Sequence, residues 1–219
     1  MTRRFLTLVR HGQLEADNGA DSLGPKLTEL GWRQALQASR RLATLAVDVI
    51  HTSSLRRAME TAQILAVEHP NIPIRPSPLL WECVPALPEN VLRWLKDRPT
   101  GPEQPLEETA PLEIQPWLGV LSGLEDDTNL EAGFQQAQAA WQKYFIPARG
   151  KDRHDILVCH GNIIRYFAAR AMQAPPEIWI NLEIFNCSIC EIIIEANGRS
   201  MLTSFNDNGH LQPGQKTQF

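Results

Sequence analysis

The stretch that decides the fold of this chain is Phe5-Leu6-Thr7-Leu8-Val9-Arg10-His11-Gly12, close to its N-terminus. Apolar and β-branched residues are followed at once by the polar tripeptide Arg-His-Gly. Such a run predicts a buried β-strand that carries a histidine at its C-terminal end. The same pattern returns late in the chain, in Asp155-Ile156-Leu157-Val158-Cys159-His160-Gly161. The sequence therefore predicts two strands that each end in a His-Gly pair.

Helices and further strands alternate around these two strands. The helices are predicted at about 28–45, 55–67, 130–145 and 162–173, and another strand at 47–51. Thr28 is the predicted N-cap of the first helix, and Ser53 or Ser54 the cap of the second. Asn197-Gly198 predicts a late hairpin. This order predicts an α/β fold with three layers, α/β/α, in which a mostly parallel central sheet has an antiparallel hairpin at its edge. Ligands bind at the C-terminal strand ends of such sheets, where both His-Gly pairs fall.

The length of 219 residues predicts a single domain, 1–219, with one insertion at about 85–127. The insertion holds many prolines and several acidic residues, and only 90–96 has the pattern of a short helix. We expect it to lie over the active site. Whether it acts as a lid, as a docking surface or only as a solvated loop is left open. The proline-rich stretch 71–78 is predicted to be an extended connection.

Composition excludes several classes of protein. The net charge is −4, from 21 basic and 25 acidic residues, which argues against a general nucleic-acid binder. No apolar stretch approaches the roughly 20 residues that span a bilayer, and no signal peptide precedes the first strand. We therefore predict no nucleic-acid partner, no membrane partner and a cytoplasmic location, and leave homo-oligomer formation open.

The four cysteines are too few for a disulfide scaffold in a chain of this length. Cys187 and Cys190 have the C-x-x-C spacing of a redox pair or of half a zinc site. They lie in a strand-like run, however, and no second pair of ligands follows them. We interpret them as two small residues of the core.

Arg10-His11-Gly12 is the first candidate for chemistry. A neutral imidazole nitrogen is a competent nucleophile toward phosphorus, and the neighbouring guanidinium can neutralise phosphoryl oxygens with a forked set of donors. Gly12 lets the backbone and a substrate approach closely. The tripeptide alone is weak evidence, since a capped loop histidine has the same sequence.

Two further elements strengthen the hypothesis. Arg56 and Arg57 fall in the first turn of a predicted helix, where the helix dipole attracts anions and disfavours cations, so arginines there suggest a phosphate site. His160 ends the second strand. Two histidines and two arginines that converge at strand ends could bind and stabilise a transferring phosphoryl group. A metal site is the weaker alternative, because the histidines lack local paired spacing and the arginines would repel a cation.

These motifs together resemble the histidine phosphatase superfamily, which has the phosphoglycerate-mutase-like fold. The matching segments occur in family order: Leu8–Gln13, Leu27–Ala35, Ser53–Ala62 and Val158–Gly161. The resemblance implies that His11 becomes phosphorylated and that Arg10, Arg57 and His160 hold the phosphoryl group. Arg56 would be an outward partner. It also implies that no cofactor or metal is needed, because histidine and arginines supply the charge that a metal would otherwise provide.

The family also uses an acid, and Glu82 stands where that acid lies. A carboxyl group between Trp81 and Cys83 would be partly desolvated, which favours its protonated form. We expect Glu82 to protonate the leaving oxygen and then to activate water. Asn162 opens the helix after His160 and is a candidate phosphate-binding residue, with simple capping as the alternative.

Within the superfamily the resemblance is strongest to the mitochondrial-type serine/threonine protein phosphatase branch. The segments that carry it are Cys159–Phe167, Pro175–Trp179, Asn186–Ile189, Asn197–Arg199 and Asp207–Pro213. It implies a metal-independent phosphatase that hydrolyses phosphomonoesters of protein phosphoserine or phosphothreonine. The alternatives are phosphoryl transfer of the mutase type, a phosphatase specific for a small metabolite, and a non-catalytic module that binds phosphorylated ligands. A mutase needs many basic residues over its pocket, whereas the insertion offers only Arg93, Lys96 and Arg98, which favours hydrolysis.

Overall fold

The computed structural model describes residues 2–16, 19, 21–97, 110–122, 124 and 129–218. A six-stranded sheet forms its centre, with strand order β3-β2-β4-β1-β5-β6. The strands are β1 (Arg3–Arg10), β2 (Val49–Ser53), β3 (Ile74–Ser77), β4 (Arg153–Cys159), β5 (Ile189–Glu195) and β6 (Ser200–Asp207). The first four are parallel to one another, while β5 is antiparallel to β1 and β6 is antiparallel to β5.

The helices are α1 (Glu29–Leu42), α2 (Arg56–Leu65), α3 (Glu89–Asp97), α4 (Leu118–Leu121), α5 (Leu130–Tyr144) and α6 (Gly161–Ala171). Short 3₁₀ helices occur at Ala66–Glu68, Pro78–Leu80, Gln115–Trp117, Pro176–Asn181 and Pro213–Gln215. The predicted cap of α1 is confirmed, since the Thr28 side chain accepts a hydrogen bond from the Gly31 N–H. The predicted cap of α2 is wrong, because Leu55 is its N-cap and no side chain caps it.

Two hydrophobic clusters cover the two faces of the sheet, because successive strand residues point to opposite sides. Leu8 belongs to the cluster beneath α5 and α6, whereas its neighbour Val9 belongs to the cluster beneath α1 and α2. Leu157 and Val158 divide between the clusters in the same way. The predicted three-layer α/β/α architecture with a mostly parallel sheet is confirmed.

The parallel pairing places the ends of the two His-Gly strands side by side. Arg10 is the register partner of Cys159, so His11 and His160 each follow a paired residue at the same edge of the sheet. The backbone N–H of His11 continues the ladder by donating to the Cys159 carbonyl at 3.0 Å. The predicted meeting of both histidines at the C-terminal edge is therefore a direct result of sheet register.

One strand was not predicted. The stretch 71–78, expected to be an extended connection, contains β3, which pairs with β2 through Ile74, Arg75, Pro76 and Ser77. Pro76 is tolerated because β3 is an edge strand, where one side of the backbone needs no partner. The predicted hairpin is confirmed: Gly198, with a φ of +87°, lies in the turn between β5 and β6.

The described part of the predicted insertion packs onto the core. It contains α3, close to the predicted helix 90–96, and α4. Val91, Ile114, Trp117 and Leu121 are buried in the cluster beneath α5 and α6. Residues 98–109, 123 and 125–128 of the predicted insertion lie outside the described residues. The described segments therefore contribute to the core, so the solvated-loop alternative does not fit them.

Two other sequence predictions concern cysteines and membranes. Cys187 and Cys190 are buried and form no disulfide, as expected for small core residues, although Cys187 lies before β5 and has a φ of +54°. In the described part of the chain, no helix combines the length and the apolar character that crossing a bilayer requires.

Candidate active site

His11 lies immediately after β1 and is almost completely buried, with 2% of its surface exposed. Its Nδ1 lies 2.8 Å from the carbonyl oxygen of Gly12, which can only accept a hydrogen bond. Nδ1 therefore carries the proton, and Nε2 keeps a lone pair. The Nε–H of Arg57 donates to that Nε2 at 3.3 Å, which agrees with this tautomer. The imidazole thus presents an unprotonated nitrogen beside a guanidinium.

Electrostatics keep the His11 ring neutral. Burial lowers the pKa of His11 well below its ordinary value of 6.5, and the charges of Arg10 and Arg57 lower it further. The hydrogen bond to the Gly12 carbonyl acts in the opposite direction but is the weakest influence. A neutral imidazole is the nucleophilic form, so the site maintains the reactive species at and below neutral pH.

His160 follows β4 and faces His11, with 5.0 Å between the ring centroids. Its Nε2 lies 2.8 Å from the hydroxyl oxygen of Ser53. Its Nδ1 is buried and has no hydrogen-bond partner among the described residues. Burial, followed by the neighbouring His11, lowers the pKa of His160 well below the ordinary value. A buried nitrogen without a partner beside His11 is available to a ligand that enters the site.

Arg10, the last residue of β1, is held in place by backbone. Its Nη1 donates to the Ile184 carbonyl at 2.6 Å, while its Nε is buried without a hydrogen-bond partner among the described residues. The guanidinium packs against the start of α6, since a Cβ atom at Gly161 would lie at an ordinary van der Waals distance, 3.5 Å, from the Arg10 Nε. Burial lowers the pKa of Arg10, and the carboxylate of Glu82 counteracts that effect.

The two arginines at the start of α2 point in opposite directions. Arg57 points inward to His11, as its 3.3 Å hydrogen bond shows. Arg56 points outward, where it donates to Asp21 at 2.9 Å and to Glu60 at 3.1 Å. The expectation of one inward and one outward arginine is confirmed by this geometry.

Glu82 follows the 3₁₀ turn Pro78–Leu80, and its Oε1 accepts the backbone N–H of Asn162 at 3.1 Å. Glu82 is an exposed residue, although protein atoms of neighbouring segments lie around its carboxyl group. Partial desolvation raises the pKa of Glu82, while Arg10, Arg57 and Arg165 lower it. The direction is the one that a general acid requires.

Asn162 is the first residue after Gly161 in α6. Its backbone is bonded to Glu82, and its side-chain Oδ1 accepts a hydrogen bond from the Arg165 Nη2. The side chain does not cap the helix, for which His160 is the N-cap residue. The capping alternative for Asn162 is therefore wrong, and the position of its amide is set by Arg165.

The structure brings the predicted site residues to one edge of the sheet and adds residues that sequence reasoning did not assign to the site. Ser53 contacts His160, and the Asn186 side chain donates to the His11 carbonyl at 3.1 Å. The Thr61 hydroxyl accepts the Gly12 N–H at 3.1 Å, and the side-chain Oε1 of Gln34 accepts the Gln13 N–H at 2.8 Å. All four lie within the quoted motifs, which was the available signal.

A pair of glycines lets the loop after β1 meet the start of α1. A Cβ atom at Gly12 would lie 2.5 Å from the Gly31 carbonyl oxygen, and one at Gly31 would lie 2.1 Å from the Gln13 carbonyl oxygen. Both distances are far inside van der Waals contact. The two backbones can touch only because both residues lack side chains.

No group of three or more histidine, cysteine, aspartate or glutamate side chains with metal-binding geometry occurs within the described ranges. The polar groups that surround His11 are instead cations and hydrogen-bond donors. Such a set is complementary to an anion with several oxygens, such as a phosphoryl group.

Comparison with known families agrees with this geometry. The sequence model of the histidine phosphatase superfamily (branch 1) matches residues 6–208. The chain belongs to the histidine phosphatase superfamily. The match runs from β1 to the end of β6 and so includes every element of the candidate active site.

Two relatives of this superfamily member are the proteins named serine/threonine-protein phosphatase PGAM5, mitochondrial, from Xenopus tropicalis and Homo sapiens. Each is 31% identical to the chain, over 217 and 222 residues respectively. The alignments cover 96% and 98% of this chain and 66% of each relative. The chain therefore spans just under two thirds of their length.

Among solved structures, the phosphoglycerate mutase of Plasmodium falciparum has the same fold. Its TM-score is 0.58 at 24% sequence identity, and the match covers 97% of this chain and 96% of the mutase. The similarity confirms the predicted phosphoglycerate-mutase-like fold and, at this identity, nothing about the substrate.

The predicted cytoplasmic location is wrong when judged by these relatives, whose names place them in mitochondria. The prediction was based on composition and on the absence of apolar spans. Neither feature reports the compartment, because a folded catalytic domain needs the same core and the same charged surface in any aqueous compartment.

Proposed function

We propose that this chain is a phosphomonoester hydrolase that works through a phosphohistidine on His11. The observation that carries the proposal is the neutral His11 ring, whose Nε2 lone pair faces the Arg57 guanidinium and lies beside His160. In the first step Nε2 attacks phosphorus, the bond from phosphorus to the ester oxygen breaks, and the alcohol leaves. In the second step water attacks the phosphohistidine and releases inorganic phosphate.

Arg10, Arg57 and His160 hold the phosphoryl oxygens in this proposal. The charge that spreads over those oxygens in the transition state meets two guanidinium groups that are already fixed by the protein, so little reorganisation is needed. The buried Arg10 Nε and His160 Nδ1, which have no hydrogen-bond partners among the described residues, are suitable donors. Because these groups supply positive charge and donors, we expect turnover to continue in the presence of a metal chelator.

Glu82 is the proposed acid and base. Burial of its carboxyl group raises the pKa of Glu82 and so favours its protonated form, which donates a proton to the leaving alcohol oxygen. The resulting carboxylate then removes a proton from the attacking water. Asn162, bonded to Glu82 through its backbone, is proposed to donate its side-chain amide to a phosphoryl oxygen.

The substrate we propose is phosphoserine or phosphothreonine in a protein. Support comes from the two relatives whose names describe serine/threonine-protein phosphatases. A second support is the rim, where Trp81, 40% exposed, is fixed by a 2.6 Å hydrogen bond from its Nε1 to the Ser54 hydroxyl. A fixed and exposed aromatic ring suits contact with a peptide better than contact with a small, highly charged sugar acid. We also propose that the insertion at about 85–127 belongs to this single domain and borders the site.

The test follows phosphate release from a phosphothreonine peptide and from para-nitrophenyl phosphate in chelator-containing buffer. We expect release by the wild type and none above background by His11→Ala. A matched control is His69→Ala, which removes another buried histidine that follows α2 and contacts none of the proposed site groups. Rapid quenching with ³²P-labelled substrate should trap an acid-labile, base-stable phosphoprotein in the wild type and in His69→Ala only.

The opposite outcomes separate the alternatives. Equal release by His11→Ala would remove His11 as the nucleophile. Phosphoprotein formation without phosphate release, but with transfer to an added phosphoglycerate, would indicate a mutase. Release from small metabolites and none from peptides would overturn the protein substrate. Binding of phosphorylated ligands without any phosphoprotein would indicate a binding module.

A further inference from the structure

Arg165 lies one helical turn after Asn162 in α6 and is fixed on several sides. Its Nη1 donates to the Leu182 carbonyl at 3.1 Å and its Nε to the Gly161 carbonyl at 3.4 Å. Its guanidinium carbon lies 5.0 Å from the centre of the Trp179 ring, at a distance typical of a cation–π contact. Trp179 is itself fully buried, with its Nε1 bonded to the Ala86 carbonyl at 2.8 Å. The guanidinium therefore has little freedom to move.

The remaining end of this guanidinium determines which way the Asn162 amide points. Nη2 of Arg165 donates to the Asn162 Oδ1. A guanidinium has donors only, so the amide oxygen must face Arg165 and the amide NH₂ must face away from it. The backbone N–H of Asn162 is bonded to Glu82 at the same time. Asn162 is thus held from two sides, with its two side-chain N–H donors directed away from Arg165.

The segment that accepts a hydrogen bond from Arg165 also accepts one from Arg10, which is predicted to bind the phosphoryl group. Leu182 accepts from Arg165, and Ile184, two residues later, accepts from the Arg10 Nη1 at 2.6 Å. Glu183 lies between them, and its charge favours the protonated state of both arginines. One short segment therefore fixes both guanidinium groups relative to each other.

We propose that Arg165 is a positioning residue that turns the Asn162 side-chain amide toward the phosphoryl group, so that its NH₂ donates to a phosphoryl oxygen. This inference rests on the proposed function for the identity of the ligand. Arg165 itself does not contact the phosphate. A lysine cannot replace it, because a single ammonium cannot donate in one plane to Asn162, Leu182 and Gly161.

A double-mutant cycle with inorganic phosphate as the ligand tests the proposal. Calorimetry should show that Arg165→Met and Asn162→Ala each weaken phosphate binding about tenfold, the loss expected for one hydrogen bond to a charged group. Both changes remove the same contact with phosphate. The double variant should therefore bind phosphate no more weakly than the single variant with the lower affinity. If the two tenfold losses of phosphate affinity multiply, so that the double variant binds about a hundredfold more weakly than the wild type, the proposal is overturned.

A spectroscopic readout tests the orientation directly. The Asn162 side-chain NH₂ pair is identified in a ¹H–¹⁵N spectrum as the pair missing from Asn162→Ala. We expect phosphate to shift this pair in the wild type and to leave it unchanged in Arg165→Met and Arg165→Lys. A pair that shifts equally in all three proteins would contradict the role of Arg165.

The matched control is Arg170→Met, which removes an arginine from the same helix. Arg170 donates to the Tyr166 hydroxyl at 3.1 Å, and its guanidinium carbon lies 5.2 Å from the Trp141 ring centre. Arg170→Met should keep the phosphate affinity and the Asn162 signal of the wild type. If Arg165→Met does not fold, the cycle with Arg165→Lys decides the question. If the wild type binds phosphate but hydrolyses no phosphoester, the proposed function fails and the cycle still decides the role of Arg165.

Discussion

The Nε–H of Arg57 donates to the Nε2 of His11 across 3.3 Å, so the proposed nucleophile is in contact with a cation before any substrate arrives. This contact and burial both disfavour a protonated His11. An arriving phosphoryl group would lie between the same two groups, where attack by the nitrogen and charge neutralisation by the guanidinium act on it together.

Removal of the Arg57 charge should change the pH dependence of the reaction. Because Arg57 and Arg10 lower the pKa of His11, Arg57→Gln should raise that pKa and move the acidic limb of the kcat/KM profile to higher pH. We also expect a loss of about 10²–10³ in kcat/KM, the range for removal of one transition-state donor. Steady-state rates on one phosphopeptide across pH 4–8 measure both effects.

Arg56→Gln is the matched control for that prediction. Its side chain pairs outward with Asp21 and Glu60, so neither the acidic limb nor the rate should change appreciably. The substrate phosphate titrates identically with both variants, and its contribution therefore cancels in the comparison. An equal shift of the limb in both variants would contradict the assignment.

The role of Glu82 should depend on the leaving group. Glu82→Gln should lower turnover of a phosphothreonine peptide by about 10²–10⁴-fold, because threonine leaves as a poor alkoxide unless it is protonated. Para-nitrophenolate leaves without a proton, so this substrate should still phosphorylate His11. Since the variant also lacks the base for the second step, we expect a burst of nearly one nitrophenolate per site, followed by slow turnover. Stopped-flow absorbance measures the burst.

Glu89→Gln is the control for Glu82. That carboxylate is exposed and pairs with Arg93 at 3.2 Å, one turn along α3. It should retain wild-type rates on both substrates. Full turnover of the phosphothreonine peptide by Glu82→Gln would show that another group supplies the proton.

The contact between the loop after β1 and the start of α1 predicts a strong effect of a single methyl group. Gly31→Ala would place a Cβ atom 2.1 Å from the Gln13 carbonyl oxygen, so backbone must move. We expect a loss of about 1–3 kcal/mol in the free energy of unfolding, as for overpacked cores, together with reduced kcat. Gly119→Ala, which meets no atom within 4 Å, should have neither effect. Urea denaturation and phosphatase assays of both variants test this prediction.

Substitutions at the N-terminal ends of the parallel strands, away from the candidate site, should affect stability and not catalysis. Asp155, fully buried near the start of β4, pairs with Arg4 and accepts two hydrogen bonds from the Arg153 Nε at 2.9 Å. Asp155→Ala leaves a buried guanidinium without its partner, which should cost about 3–5 kcal/mol of unfolding free energy. The kcat/KM of the folded fraction should stay unchanged, because His11 lies at the other end of β1.

Asp152→Ala is the control for this edge. The exposed Asp152 accepts the Arg3 N–H at 2.8 Å, and its loss should cost less than about 1 kcal/mol. Equal destabilisation by the two variants would mean that the buried pair contributes no more than a surface contact.

Much of the fold could be predicted because local patterns agree with the final structure. The apolar run before His11 is a strand in any context that can bury it, and Thr28 caps α1 with its own hydroxyl. The strand β3 escaped prediction because its pairing with β2 comes from a neighbour distant in sequence, while its own prolines indicate a connection. Edge position, which sequence does not reveal, resolves that conflict.

The site residues also divide into those that a local motif predicts and those that only a distant contact reveals. His11, Arg10, Arg57 and His160 were identified because their motifs carry recognisable chemistry. Asn186 was not assigned to the site, because its side chain reaches the His11 carbonyl from 175 positions away. Such a contact leaves no local pattern.

The sequence by itself determined the order of the strands and main helices apart from β3, the two His-Gly strand ends and the family. These features depend on side-chain periodicity and short motifs, which neighbouring residues specify. Only the tertiary structure decided that His11 is neutral with its lone pair on Nε2 and that Arg165 donates to the Asn162 amide oxygen. Those properties depend on burial and on distances of a few ångströms between residues far apart in the chain. Sheet register and helix packing set such distances.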